Sequence, residues 1–141
     1  MILPDVNVLI GAFRRDSVHH PICKPWLDGV VQGEARFGLS PLVLSAVVRV
    51  TTNPRAFTLP STTDDALGFG NDLLGQPHCV PIAPGDRHWG IFSRLVRDAR
   101  VRGPAVTEAW HAALAIEHGC TWITFDRDFA RFPGLEWREP S

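Results

Sequence analysis

Apolar residues are spread along the chain in short blocks that alternate between two kinds of spacing. Ile2-Leu3, Arg36-Phe37-Gly38-Leu39, Cys79-Val80-Pro81-Ile82 and Trp122-Ile123-Thr124-Phe125 are brief runs bounded by turn-forming residues, as short buried strands are. Between these runs apolar positions recur every three or four residues, the mark of an amphipathic helix. Trp26, Leu27, Val30 and Val31 follow His20-Pro21 in this way. Leu42, Val43, Ala46, Val47 and Val50 follow Ser40-Pro41, an N-cap with proline at the first helical position, and this helix stops near Asn53-Pro54. Ser61-Thr62-Thr63-Asp64 precedes Ala66, Leu67, Phe69, Leu73 and Leu74, and Asp86 precedes Trp89, Phe92, Leu95, Val96 and Ala99. Pro104 opens a further helix that ends at Gly119 in a C-cap position. A last short strand holds Leu135 and Trp137. Alternating strands and helices without repeats or linkers predict an α/β fold and a single domain over residues 1–141.

Composition narrows this only a little. The apolar fraction of 45% and charged fraction of 21% are those of an ordinary globular chain. No apolar run reaches the roughly eighteen residues of a membrane span, and no basic leader precedes the first strand, so a cytoplasmic location is expected. Cys23, Cys79 and Cys120 are scattered and lack zinc spacing, which predicts free thiols. Formal net charge is −1, so any nucleic-acid contact must come from local basic patches. Thirteen arginines stand against the single Lys24. Arginine suits bidentate phosphate contacts, and Arg14, Arg15, Arg49, Arg55, Arg87 and Arg127 are candidates.

The acids are more informative. Asp5 falls just past the first strand and Asp126 just past Trp122-Ile123-Thr124-Phe125. Ligands of open α/β sheets bind at the carboxyl ends of strands. Glu108 lies in the first turn of the late helix, at the edge of a stripe of Ala109, Ala112, Ala113 and Ile116 small enough for close approach to a sheet. If Asp5, Glu108 and Asp126 converge, each like-charged pair at about 4 Å costs roughly 4 kcal/mol at an effective dielectric near 20. Protons or a hard cation must offset that cost. Mg²⁺, or Mn²⁺ in its place, prefers such oxygen ligands and can activate water for attack on a phosphodiester.

With these residues in view the chain resembles the PIN-domain ribonucleases, and more narrowly the VapC-type toxins of type II toxin–antitoxin pairs. The resemblance rests on Asp5-Val6-Asn7, Arg49-Val50-Thr51-Thr52-Asn53-Pro54-Arg55-Ala56-Phe57, Thr107-Glu108-Ala109-Trp110-His111-Ala112-Ala113-Leu114-Ala115 and Thr124-Phe125-Asp126-Arg127-Asp128-Phe129, followed by Phe132-Pro133-Gly134-Leu135. It covers essentially the whole chain in order. It implies an α/β/α sandwich with a mostly parallel central sheet. It also implies a Mg²⁺-dependent endoribonuclease acting on structured RNA such as tRNA or rRNA, a small cognate antitoxin, and a homodimer or a hetero-oligomer with that antitoxin. Asp5, Glu108 and Asp126 match the family's metal-binding and catalytic acids, and Asn7 matches the small polar residue that supports the first. Thr124 and Asp128 are supporting candidates. The family's second acid should fall near Ala46, where none stands. Glu108 occupies a position usually held by aspartate. The acidic set is therefore three, which leaves a second metal less secure and opens the alternative of a catalytically weak module that binds RNA or protein.

The remaining candidates are plainer. His111 follows Glu108 by three residues, but Mg²⁺ disfavours imidazole and a partly exposed histidine is expected. His19, His20 and His88 have no zinc-pattern partner. Trp89, Trp110 and Trp122 are expected in the core by their spacing, and one exposed ring would be able to stack on a base. An aspartyl-phosphate phosphatase would want an aspartate where Asn7 stands. A dinucleotide-binding fold would want a Gly-x-Gly-x-x-Gly that is absent after the first strand.

Overall fold

The computed structural model describes residues 1–141. Its elements follow in the order β1 (Ile2–Pro4), α1 (Val6–Phe13), α2 (His20–Gln32), β2 (Phe37–Leu39), α3 (Pro41–Thr51), α4 (Thr63–Leu74), β3 (Cys79–Pro81), α5 (His88–Asp98), α6 (Ala105–Glu117), β4 (Thr121–Ile123), a 3₁₀ turn (Arg127–Arg131) and β5 (Trp137–Arg138). The expected strands and helices are all present. One helix, α1, is not among the expected elements: it follows Asp5 at once, with Val8, Leu9 and Ala12 buried at helical spacing.

All strand pairs are parallel, because helices cross over between them. The ladders run β1–β4–β5 and β2–β3. They lie side by side where β2 passes β1 at Gly38: a Cβ there would stand 3.2 Å from the Ile2 carbonyl oxygen and 2.9 Å from Ile82 Cγ1. Leu3, Leu39, Trp122 and Ile123 of the strands pack against Val8 and Leu9 of α1, Val43 and Val47 of α3, Leu95 of α5 and the alanine stripe of α6 in one hydrophobic core. The α/β/α sandwich is thus the observed architecture.

Local chemistry sets the element ends. Ser40 Oγ accepts from Val43 N–H at 3.4 Å and Thr62 Oγ1 from Asp65 N–H at 3.1 Å, so the expected caps of α3 and α4 are in place. The helix expected to begin at Asp86 starts instead at His88, after Arg87. The α5 start is held from α6. Buried Glu117 accepts from the backbone N–H groups of Gly85 at 2.8 Å and Arg87 at 3.0 Å, while the Arg87 guanidinium donates to the Glu117 carbonyl. Burial pushes the Glu117 carboxyl up, and these bonds outweigh it and hold it below the usual range.

Two further expectations are corrected. Trp122 is fully buried and Trp110 half-buried, but Trp89 is 71% exposed, because His88 takes the inward position one residue earlier and bonds to the Trp110 carbonyl at 3.0 Å. His111 is not partly exposed but buried, its ring stacked on Trp122. The three cysteines are free, and Cys23 and Cys120 are buried. No helix is long and apolar enough to cross a membrane.

The contact at Gly38 gives a direct test of this packing. Gly38→Ala places a methyl against a backbone carbonyl that cannot yield and is expected to destabilise the protein by about 1–3 kcal/mol. Urea unfolding should show a lower midpoint at unchanged slope.

Candidate active site

Asp5 sits where β1 ends and α1 begins. Its backbone N–H donates to the Ile123 carbonyl at 2.9 Å, which carries the β1–β4 ladder one step beyond the last paired strand residue. Its side chain caps α1, with Oδ1 accepting from Val6 N–H at 2.6 Å. The carboxylate therefore faces the positive end of a helix dipole. Asp126 repeats the device on the neighbouring strand: it follows β4 and caps the 3₁₀ turn, Oδ1 accepting from Asp128 N–H at 2.9 Å. Two adjacent parallel strands thus end in acids at the same edge of the sheet.

Thr124 ties the two together. Its hydroxyl, fully buried, donates to Asp5 Oδ2 at 2.7 Å and accepts from Asp126 N–H at 3.0 Å. Asn7 closes the network from α1, its Nδ2 donating to Thr124 Oγ1 at 3.2 Å and reaching Asp5 Oδ2 at 3.5 Å, while its Oδ1 accepts from Phe125 N–H at 3.4 Å. The side-chain polar atoms of Asn7 and Thr124 are all engaged in this network around the acids. Asp128 supplies only its backbone N–H to Asp126 and is exposed.

Glu108 comes from the first turn of α6 and lines the same cleft of ≈ 390 Å³ as Asp5 and Asp126, with Thr107 and His111 beside it and Ser45, Ala46 and Arg49 facing it from α3. Its carboxylate is ion-paired with Arg131 of the 3₁₀ turn. No three His, Cys, Asp or Glu side chains close into a compact metal-holding group. Electrostatics nonetheless links the acids. Burial pushes the Asp5 carboxyl up, the Thr124 and Val6 hydrogen bonds pull it back, the charges of Asp126 and Glu108 add to the rise, and the balance leaves it at about 6. The cleft thus joins three oxygen-donor acids in an open arrangement, with Glu108 turned aside by Arg131.

His111 is the residue whose place here was not expected. Burial holds its imidazole down at about 4, with the charge of His88 adding to the effect, so it is neutral at physiological pH, and Nδ1 has no hydrogen-bond partner. Of the arginines proposed for nucleic acid, Arg49 alone lines the cleft. Arg14 is held by Asp16, Ser61 and the Phe57 ring, and Arg87 by Glu117. Arg131, absent from that set, is the cation paired with Glu108.

The chain belongs to the PIN-domain family, whose pattern matches residues 2–135. It is 38% identical over 140 residues to ribonuclease VapC25 of Mycobacterium tuberculosis, with 99% of both chains covered. It is 39% identical over 140 residues to ribonuclease VapC43 of the same organism, with 99% of this chain and 95% of that relative covered. Within the PIN domains it thus falls in the VapC group. The fold is also that of VapBC2 from Rickettsia felis, solved bound to a DNA fragment from its promoter, at TM-score 0.70 and 14% identity over the full length of both chains.

An acid whose proton is held more tightly in the folded state stabilises the fold fully below its unfolded pKa of 3.8, and that contribution is lost as pH rises through about 6. Ionised Asp5 therefore costs the metal-free protein about 3 kcal/mol at neutral pH. Asp5→Asn, measured by thermal unfolding in EDTA, should be more stable than the parent at pH 7–8, with the gap closing towards pH 4. A variant less stable than the parent throughout would show that the carboxylate is satisfied by the fold alone.

Proposed function

We propose that the protein is a divalent-cation-dependent endoribonuclease and the toxin half of a toxin–antitoxin pair. The observation that carries this reading is the buried Asp5 carboxylate, fixed at the end of β1 on a cleft it shares with Asp126 and Glu108 and raised to about 6 by that setting. Its charge lacks a balancing partner that a hard cation would provide. The donors fit Mg²⁺ or Mn²⁺: they are all oxygens, and Mg²⁺ rests on one or two carboxylates while keeping several waters, so an open set suits it where it would not suit Zn²⁺. Asp5 and Asp126 would hold the ion, and Glu108 would join through water when released from Arg131. A bound ion supplies Lewis-acid polarisation of a phosphodiester and a more acidic water.

The chain's own residues do the rest. Thr124 and Asn7 fix the Asp5 carboxylate so that no reorientation is needed when substrate arrives. Arg49 offers a positive charge at the cleft wall for a phosphate that three acids would otherwise repel. The Ser45 and Thr107 hydroxyls of the cleft hydrogen-bond to no histidine or carboxylate, which supports hydrolysis by water without a covalent intermediate. Structured RNA such as tRNA or rRNA is the substrate class, and the ribonuclease names of the relatives support RNA as the target. A small antitoxin protein is the partner, in a hetero-oligomer or with a homodimer of the toxin. Leu42, Leu67 and Leu74, exposed on α3 and α4, provide apolar surface for such contacts. The location is the cytoplasm, where both RNA and antitoxin are met.

Incubation with total RNA is the test. Cleavage is expected with Mg²⁺ or Mn²⁺, to vanish in EDTA, and to fall about 100-fold or more in Asp5→Ala and Asp126→Asn. Because a cation must displace the Asp5 proton, metal affinity should weaken as pH drops below about 6. Identical RNA patterns from the parent and Asp5→Ala would refute the reading. Tight RNA binding with no metal-dependent cleavage would favour a binding module, consistent with the missing acid at Ala46.

A further inference from the structure

The α5–α6 hairpin carries a group of arginines that the fold does not use. Arg94 and Arg97 lie on α5 and Arg100 and Arg102 on the loop after it; all four are exposed and none forms an ion pair. With Asp98 the only acid among them, residues 94–102 carry +3 (four arginines less one aspartate) in a chain of net charge −1. The segment is well placed. It leads into Pro104, and Pro104, Thr107 and Glu108 at the start of α6 line the acidic cleft. The arginines therefore lie on the segment that runs directly into that wall of the cleft.

The backbone adds an independent observation. Helices α5 and α6 end in the same motif. After α6, the C-cap His118 is followed by Gly119 at φ +63°, with Gly119 N–H bonded to the Ile116 carbonyl and Cys120 N–H to the Ala115 carbonyl. After α5, the C-cap Ala99 is followed by Arg100 at φ +53°, with Arg100 N–H bonded to the Arg97 carbonyl and Val101 N–H to the Val96 carbonyl. This position normally takes glycine, because a Cβ in the left-handed region is strained. Arg100 is the one residue other than glycine with positive φ in the protein. Local strain persists where a function holds it, and here the strained residue is also one of the unpaired cations of the segment that leads into the cleft wall.

We propose that Arg97, Arg100 and Arg102 form a phosphate-gripping rim that holds the backbone of a folded RNA across the acidic cleft, with arginine kept at the Arg100 helix cap at the expense of stability. This rests on the RNA reading given above. Binding of bulk tRNA is measured in an Asp126→Asn background, so that the RNA stays intact, as a function of salt. Each phosphate contact contributes about 0.7–0.9 to the slope of log K against log salt. Arg97→Gln/Arg100→Gln/Arg102→Gln should make the slope shallower by about 2–3 and weaken binding at least about fivefold at moderate salt. Arg100→Gly alone should raise the melting temperature while weakening tRNA binding, opposite movements that a purely structural arginine would not produce. Unchanged slope and affinity in the triple variant, with a parent that binds tRNA, would overturn the rim and leave the ribonuclease reading standing. A lowered melting temperature in Arg100→Gly would overturn the stability trade. Loss of polyglutamate binding with tRNA binding intact would assign the arginines to an acidic protein segment and overturn the RNA rim. A parent that neither binds nor cleaves RNA would overturn both readings.

Discussion

A single buried hydroxyl organises the chemistry of this protein. Thr124 Oγ1 donates to Asp5 and accepts from the Asp126 backbone and from Asn7, so it binds the ends of β1 and β4 and the first turn of α1 into one unit. The parallel pairing of the two strands puts their acids at the same edge of the sheet, and the threonine converts that proximity into a fixed geometry. Remove the pairing and Asp5 becomes a buried charge apart from Asp126. Remove the hydroxyl and the two acids lose their common reference.

The surroundings are arranged around an electrostatic debt that the fold leaves open. Asp5 is raised by burial and by its acidic neighbours, and the helix N-terminus and hydrogen bonds offset that only in part. Glu108 is relieved by Arg131, a residue of the same 3₁₀ turn that Asp126 caps. Under the proposed function, arginine and cation would be alternatives for the third acid, exchanged by moving one side chain. Ala46, facing the cleft where a further acid is expected, leaves Arg49 one turn later as the main charge on the α3 wall. Under the proposed function, that composition would suit one ion and an approaching phosphate better than two closely held ions.

Much of this was legible in the order of residues. The short apolar runs, Ser40-Pro41 and the Thr62 cap announce β2, α3 and α4, and Asp5, Glu108 and Asp126 do meet on one cleft. Helix α1 escaped because Val6 to Phe13 reads as an extension of the first apolar run; the signal was Asp5 itself, an aspartate at an N-cap. His111 looked exposed beside Glu108 because its burial depends on Trp122, which packs on it from the following strand and not from its own helix. Trp89 looked buried because its period fits α5, but His88 fits the α6 surface better through its bond to the Trp110 carbonyl. Arg131 and Glu117 are invisible to pattern, since each acquires its role from a partner many residues away. Long-range side-chain pairs of this kind leave no local periodicity to read.

The central claim is that Asp5 and Asp126 together hold a hard divalent cation and that Glu108 exchanges Arg131 for it. A crystal structure with Mn²⁺, located by its anomalous scattering, tests it most directly. The account predicts one ion within bonding distance of the Asp5 and Asp126 carboxylates, with the Arg131 guanidinium displaced from Glu108 and Thr124 still bonded to Asp5. A cleft without an anomalous peak at saturating Mn²⁺, with the Arg131–Glu108 pair intact, would contradict it.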